Sequence, residues 1–195
     1  MRIKGTFLDE ISHDIPHQNW GEAEWDRDFG YMREAGIDTV ILIRCGYRRW
    51  QTFPSRVLTA EEGCYEPPVD LVDMFLRLSD KWGMNFWFGL YDSGKYWDRG
   101  EYEQEVALNK RVIDEVWSRY GLECWTNSET FDRDMPIKFL PIKWEKLRLK
   151  MGLAAQAGYQ NAITFEFSHF MSPQSAYLQA GHLYDRYMEY LKTLE

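Results

Sequence analysis

The feature that most constrains this chain is a theme repeated five times: an apolar strand ends in polar residues, and an amphipathic helix stopped by a glycine usually follows. Parallel βα units require this alternation, because each crossover helix covers a sheet face. The first strand spans residues 3–10 (IKGTFLDE). A helix then carries Trp25, Phe29 and Met32 on one stripe as far as Gly36. Residues 38–44 (DTVILIR) are almost wholly β-branched or apolar, as a strand buried on both faces demands. A long loop with Trp50 and Pro54 leads to Glu66-Pro67-Pro68, which introduce a helix with Val69, Val72 and Leu76 inward and Gly83 at its end. The third strand is 84–90 (MNFWFGL), and a helix over about 101–120 stops at Gly121. Residues 123–127 (ECWTN) form the fourth strand. After a loop with Pro136 and Pro141, Leu147, Met151 and Ala154 mark a helix ending at Gly158. The fifth strand is 162–167 (AITFEF), and Ser172-Pro173 opens a last helix with Leu183, Tyr187, Leu191 and Leu194 on its buried stripe.

With 195 residues, no Gly/Ser linker and no low-complexity tract, the chain reads as a single α/β domain over 1–195. A net charge of -8 excludes a nucleic-acid partner, which needs a surplus of Lys and Arg. No apolar run approaches the roughly 18 residues of a membrane span. The N-terminus leads into a strand instead of a signal peptide, so a cytoplasmic protein is expected, with no membrane partner. Cys45, Cys64 and Cys124 show no CxxC spacing and read as free thiols. The nine Trp either fill a core or line a concave site where sugar faces stack, as Trp50, Trp97 and Trp125 would.

Chemistry in parallel α/β proteins sits where strands end, since the loops leaving those ends converge. Here the ends carry Asp9-Glu10, Arg44, Tyr91-Asp92, Asn127 with Glu129, and Glu166 with Ser168 and His169. Period-two alternation on the fifth strand places Thr164, Glu166 and Ser168 on one face, looking into the centre. A buried carboxylate there is either a catalytic or ligand-binding acid or half of a structural pair with Arg44. Several carboxylates at one rim suggest glycoside hydrolysis, in which one acid protonates the leaving oxygen and another attacks or activates water. They could also hold a hard cation, but no tight Asp/Asn spacing appears and no metal or other cofactor is expected. His13 and His17 lie in the first loop. The segment GLYDSG (89–94) matches neither a dinucleotide fingerprint nor a P-loop.

The stretches GTFLDEISHDIPHQNWG, AGIDTVILIRCGY, FGLYDSGKYW, CWTNSETFDRDMPIKFLPIKWEKLR and AITFEFSHFMSPQSAYLQAGHLYDRY resemble the DUF4434 type, a family of bacterial TIM-barrel proteins described as glycosidase-like. The resemblance covers nearly the whole chain. It also implies a gap. In the family, the helix resembling 101–120 leads to a fourth strand ending in Ser-His-Glu, and the segment resembling CWTNSETF comes near the end as the seventh strand. Here Tyr120-Gly121 runs directly into Leu122-Glu123-Cys124-Trp125, so three units are missing.

By that resemblance Glu129 matches the nucleophile, while the strand-four acid is deleted. The two-carboxylate mechanism then needs Glu166, Glu10 or a partner subunit to supply the second carboxylate; Glu166 is taken with Glu129 as catalytic, and Asp9, Glu10, Arg44, Tyr91, Asp92, Trp125, Asn127 and His169 as substrate-binding residues. The function implied is a glycoside hydrolase-like protein acting on or binding carbohydrate; the alternative is a non-catalytic truncated barrel that self-associates. The retained strands would lie in the order third-second-first-fifth-fourth, a partial TIM-type (βα)5 barrel with an uncovered inner face. Homodimerisation would close it into a ten-stranded barrel, the third strand of each chain pairing with the fourth of the other. The alternative is a monomer whose long loops fold over that face.

Overall fold

A computed structural model of the chain describes residues 2–11, 20–91, 102–122, 124–125, 141–156 and 161–194. Strand β1 (Arg2–Leu8) is followed by α1 (Glu22–Glu34), β2 (Thr39–Arg44), a hairpin of β3 (Gly46–Tyr47) and β4 (Trp50–Gln51), then α2 (Arg56–Glu62) and α3 (Leu71–Trp82). The second half comprises β5 (Asn85–Tyr91), α4 (Tyr102–Tyr120), β6 (Cys124–Trp125), α5 (Trp144–Gln156), β7 (Asn161–Phe165), α6 (Phe167–Phe170) and α7 (Leu178–Lys192).

Local chemistry explains most of these boundaries. Asp70 caps α3, accepting the Asp73 N–H at 3.0 Å, so the helix starts there and Val69 stays outside it, 48% exposed instead of inward. Gly83 and Gly121 end α3 and α4 with φ of 61° and 66°, left-handed values that a side chain disfavours. In the long loop after β2, an unexpected hairpin and helix form. Ser55 caps that helix by accepting the Leu58 N–H at 3.1 Å. The last helix opens at Leu178, later than Ser172-Pro173, and its stripe buries Leu183 and Tyr187 while Leu194 is left exposed.

Five parallel strands lie in the order β6-β5-β2-β1-β7. The fourth expected strand, β6, therefore pairs with the third, β5, and not with the fifth. The crossover through α4 delivers the chain to the next slot along the sheet, and the pairing Phe88↔Cys124 and Gly89↔Trp125 fixes it. The edge of β5 on which closure by a second chain was expected is thus filled from within the chain.

Two rows across the sheet differ in cover. Leu8, Leu42 and Phe88 form one row, each at most 2% exposed, and Phe53 and Tyr120 follow Phe88 in edge-to-face contacts. Phe7, Ile41 and Trp87 form a neighbouring row on the opposite face, where Trp87 is 55% exposed. Helices cover the first face, where α1 buries Trp25, Phe29 and Met32 in the core and sets Trp25 and Phe29 against Phe75 of α3. Each such buried side chain contributes about 1.5–3 kcal/mol.

Candidate functional site

The carboxyl ends of β1 and β7 are neighbours in the sheet, and they bring residues far apart in sequence together. β7 ends at Phe165, one residue short of Glu166. Glu166 is still extended, with φ -132° and ψ 115°, and its carboxylate accepts the His169 N–H at 3.3 Å to cap α6. That single turn returns the imidazole onto its own cap, so His169 Nδ1 contacts Glu166 Oε2 directly. On the other side, His169 Nε2 lies 3.8 Å from Oε1 of Glu10, which follows β1. Glu166 and His169 are buried and Glu10 is 8% exposed.

Desolvation sets the electrostatics. Burial pushes the Glu10 carboxyl above its ordinary range, with His169 opposing the shift and the neighbouring acids adding to it. Glu166 is raised for the same reason, and His169 again opposes. Asp9 belongs to the group but has its own partner: Arg44 donates from Nε to Asp9 Oδ2 at 2.9 Å, and its guanidinium lies 4.8 Å from the Tyr47 ring. The structural pairing of Arg44 with Glu166 is thereby replaced by Arg44–Asp9 and Glu166–His169.

Thr164 pairs in register with Thr6, in the row of Val40, and Val40 belongs to the helix-packed core. That places Thr164 on the helix side of the sheet and not in the centre. Glu166, two residues on, has Asp28 of α1 in its electrostatic surroundings. Asp28 is fully buried, accepts a hydrogen bond from the Ser172 hydroxyl, and is pushed up to about 7 by burial. Sequence reasoning missed it. The signal was present, since Asp28 falls within the buried arc of Trp25, Phe29 and Met32.

Of the other expected site residues, Tyr91 pairs with Arg44 across β5 and β2, and Trp125 pairs with Gly89 through β6. Asp92, Asn127 and Glu129 lie outside the described residues, as do Trp97, His13 and His17. Cys45 and Cys64 are buried free thiols, and burial raises the Cys64 thiol to about 11. A cleft of about 650 Å³ lined by Pro54, Arg56, Val57, Glu115, Ser118 and Arg119 contains none of the strand-end residues.

Chemically, the cluster can exchange protons between carboxyls and an imidazole. It can also hold a cation: one donor atom from each of Glu10, Glu166 and His169 lies within 4.8 Å of the others. Among the described residues no helix is long and apolar enough to cross a membrane.

The profile of the family described as "Domain of unknown function (DUF4434)" matches residues 3–123 and 118–177. No curated protein matches the chain at a significant level. Among solved structures, a Bacteroides thetaiotaomicron protein described as "a putative alpha-L-fucosidase" is 43% identical with a TM-score of 0.84, over 98% of this chain and 94% of that one.

Proposed function

Because this chain belongs to the DUF4434 family, we propose that it is a glycoside hydrolase-like protein that binds or acts on a carbohydrate at the carboxyl ends of its strands. The observation that carries this reading is the meeting of two buried carboxyl groups, Glu10 and Glu166, around His169 at neighbouring strand ends. Glycoside cleavage needs two carboxyls, one to protonate the leaving oxygen and one to attack or to activate water. Glu166 and Glu129 are the proposed catalytic carboxylates. Asp9, Glu10, Arg44, Tyr91, Asp92, Trp125, Asn127 and His169 would hold the substrate. The description of the similar solved structure makes α-L-fucosides the first class to screen.

Release of nitrophenol from a panel of aryl glycosides, led by the α-L-fucoside, tests the reading. Turnover by the parent chain that falls about 1000-fold or more in Glu129→Gln or Glu166→Gln is expected. Turnover indifferent to both substitutions would overturn the assignment. Glycan binding by calorimetry without any turnover would leave a binding protein.

The family match breaks over residues 118–123, which supports a domain lacking internal units where Tyr120-Gly121 meets Leu122. Five strands leave two edges, β6 and β7, and a second copy joined at those edges is the proposed closure. Light scattering after size exclusion checks it; a 23.3 kDa species would sink it.

A further inference from the structure

We propose that Glu10, Glu166 and His169 bind a divalent transition-metal ion. The proposal stands on the geometry of the cluster and does not depend on the glycoside reading.

Two independent observations lead to it. First, the donors converge: although 156 positions separate Glu10 from Glu166, one donor atom from each of the three residues lies within 4.8 Å of the other two. Metal bonds of about 2.0–2.2 Å would bring such atoms somewhat closer, a movement within the reach of side-chain torsions. Second, Oε1 of Glu10 and Oε1 of Glu166 are buried and have no hydrogen-bond partner among the described residues. A buried acceptor is normally paired, so two unmatched carboxylate oxygens in one cluster call for a positively charged ligand.

The donor set selects the ion. Two carboxylates alone would suit magnesium or calcium, but an imidazole shifts preference to first-row metals such as Mn²⁺ and Zn²⁺. His169 Nδ1 rests against Glu166 Oε2, and that contact holds the ring in the cluster. Glu166 also caps α6, so its position is fixed by the backbone before any ion arrives. Glu10 lies two residues past β1 and Glu166 directly after β7, two strands hydrogen-bonded to each other, while His169 stands on α6.

The test uses tag-free, full-length chain stripped with chelator and then titrated with MnCl₂ or ZnCl₂ by calorimetry. One ion per chain is expected, with Glu10→Gln and His169→Gln each weakening binding about 100-fold. Glu10→Gln is isosteric, and near-ultraviolet circular dichroism verifies that each variant is folded. A measurement on the parent chain alone guards against variants that fail to fold. Co²⁺ bound by one imidazole and carboxylates gives visible d–d bands without the intense near-ultraviolet absorption of a thiolate ligand. Absence of stoichiometric binding, thiolate-type Co²⁺ absorption, or binding unchanged in the folded variants would each overturn the proposal. Loss of glycosidase activity in the panel above leaves this experiment unaffected, so the two readings fail separately.

Discussion

Two polar regions lie at the carboxyl side of the sheet and are built on opposite principles. Around the β3–β4 hairpin, neutral side chains bond mainly to backbone and to one another, although the buried Gln51 Oε1 has no hydrogen-bond partner among the described residues. Thr52 Oγ1 donates towards the carbonyls of Arg44 and Cys45, Gln51 Nε2 donates to Thr59 Oγ1 and the Tyr65 carbonyl, and Ser55 both caps α2 and donates to Glu115. At the β1–β7 corner, charged groups crowd together and three carboxylate oxygens, on Glu10, Asp28 and Glu166, lack hydrogen-bond partners among the described residues. The first region gains stability from its polar groups. At the second, burial of the Glu10 and Glu166 carboxyls disfavours their charged forms.

Substitutions can break this contrast. The largest expected effect is at Glu166: Glu166→Gln should abolish about 1000-fold or more of any glycosidase activity while the melting temperature holds or rises, because a desolvated charge is removed and a glutamine oxygen can still cap α6. A fall in melting temperature with unchanged activity would make Glu166 a structural residue. Next is the pH dependence from Asp28, whose folded value of about 7 lies above the ordinary 3.8. The folded state holds the proton more tightly, so its stability is present at low pH and is lost as pH rises through about 7. Urea unfolding should show a loss on the order of 2 kcal/mol between pH 5 and 8, and Asp28→Asn should flatten that slope. The acids Glu10 and Glu166 and the Ser168, Ser172 and Gln174 donors surround this group, so some slope will remain in the variant.

Ser55→Ala removes both a cap and a bond to Glu115 and should cost about 1–2 kcal/mol in urea unfolding, with no effect on metal binding. If metal binding fell with it, the two regions would be coupled and the contrast would blur. Smallest of all, Arg77→Ala removes exposed ion pairs to Glu22 and Asp73, and thermal unfolding should show no resolvable change.

How much of the site was legible depended on sequence distance. Glu166 and His169 stand three residues apart, and both were visible as polar residues closing an apolar strand. Their mutual contact arises because α6 is a single turn capped by the glutamate itself. Glu10 was visible as a strand-end acid, but its approach to His169 depends on β1 pairing with β7. Asp28 was passed over because a helical acid next to an apolar stripe is ordinarily solvated, and only the covering segment from Phe167 to Gln174 buries it. The inward assignment of Thr164 failed because alternation separates two faces without saying which one the helices cover.

The sequence alone determined the succession of the five parallel strands and the glycine stops such as Gly83 and Gly121, since these follow from torsions and hydrogen bonds within a few residues. Only the tertiary structure decided that β6 sits beside β5, and that three residues from opposite ends of the chain share one buried corner. Pairing between distant segments is a choice among competing edges, and desolvation of a charge exists only once every neighbouring element is in place. Neither quantity is a property of any short stretch of sequence.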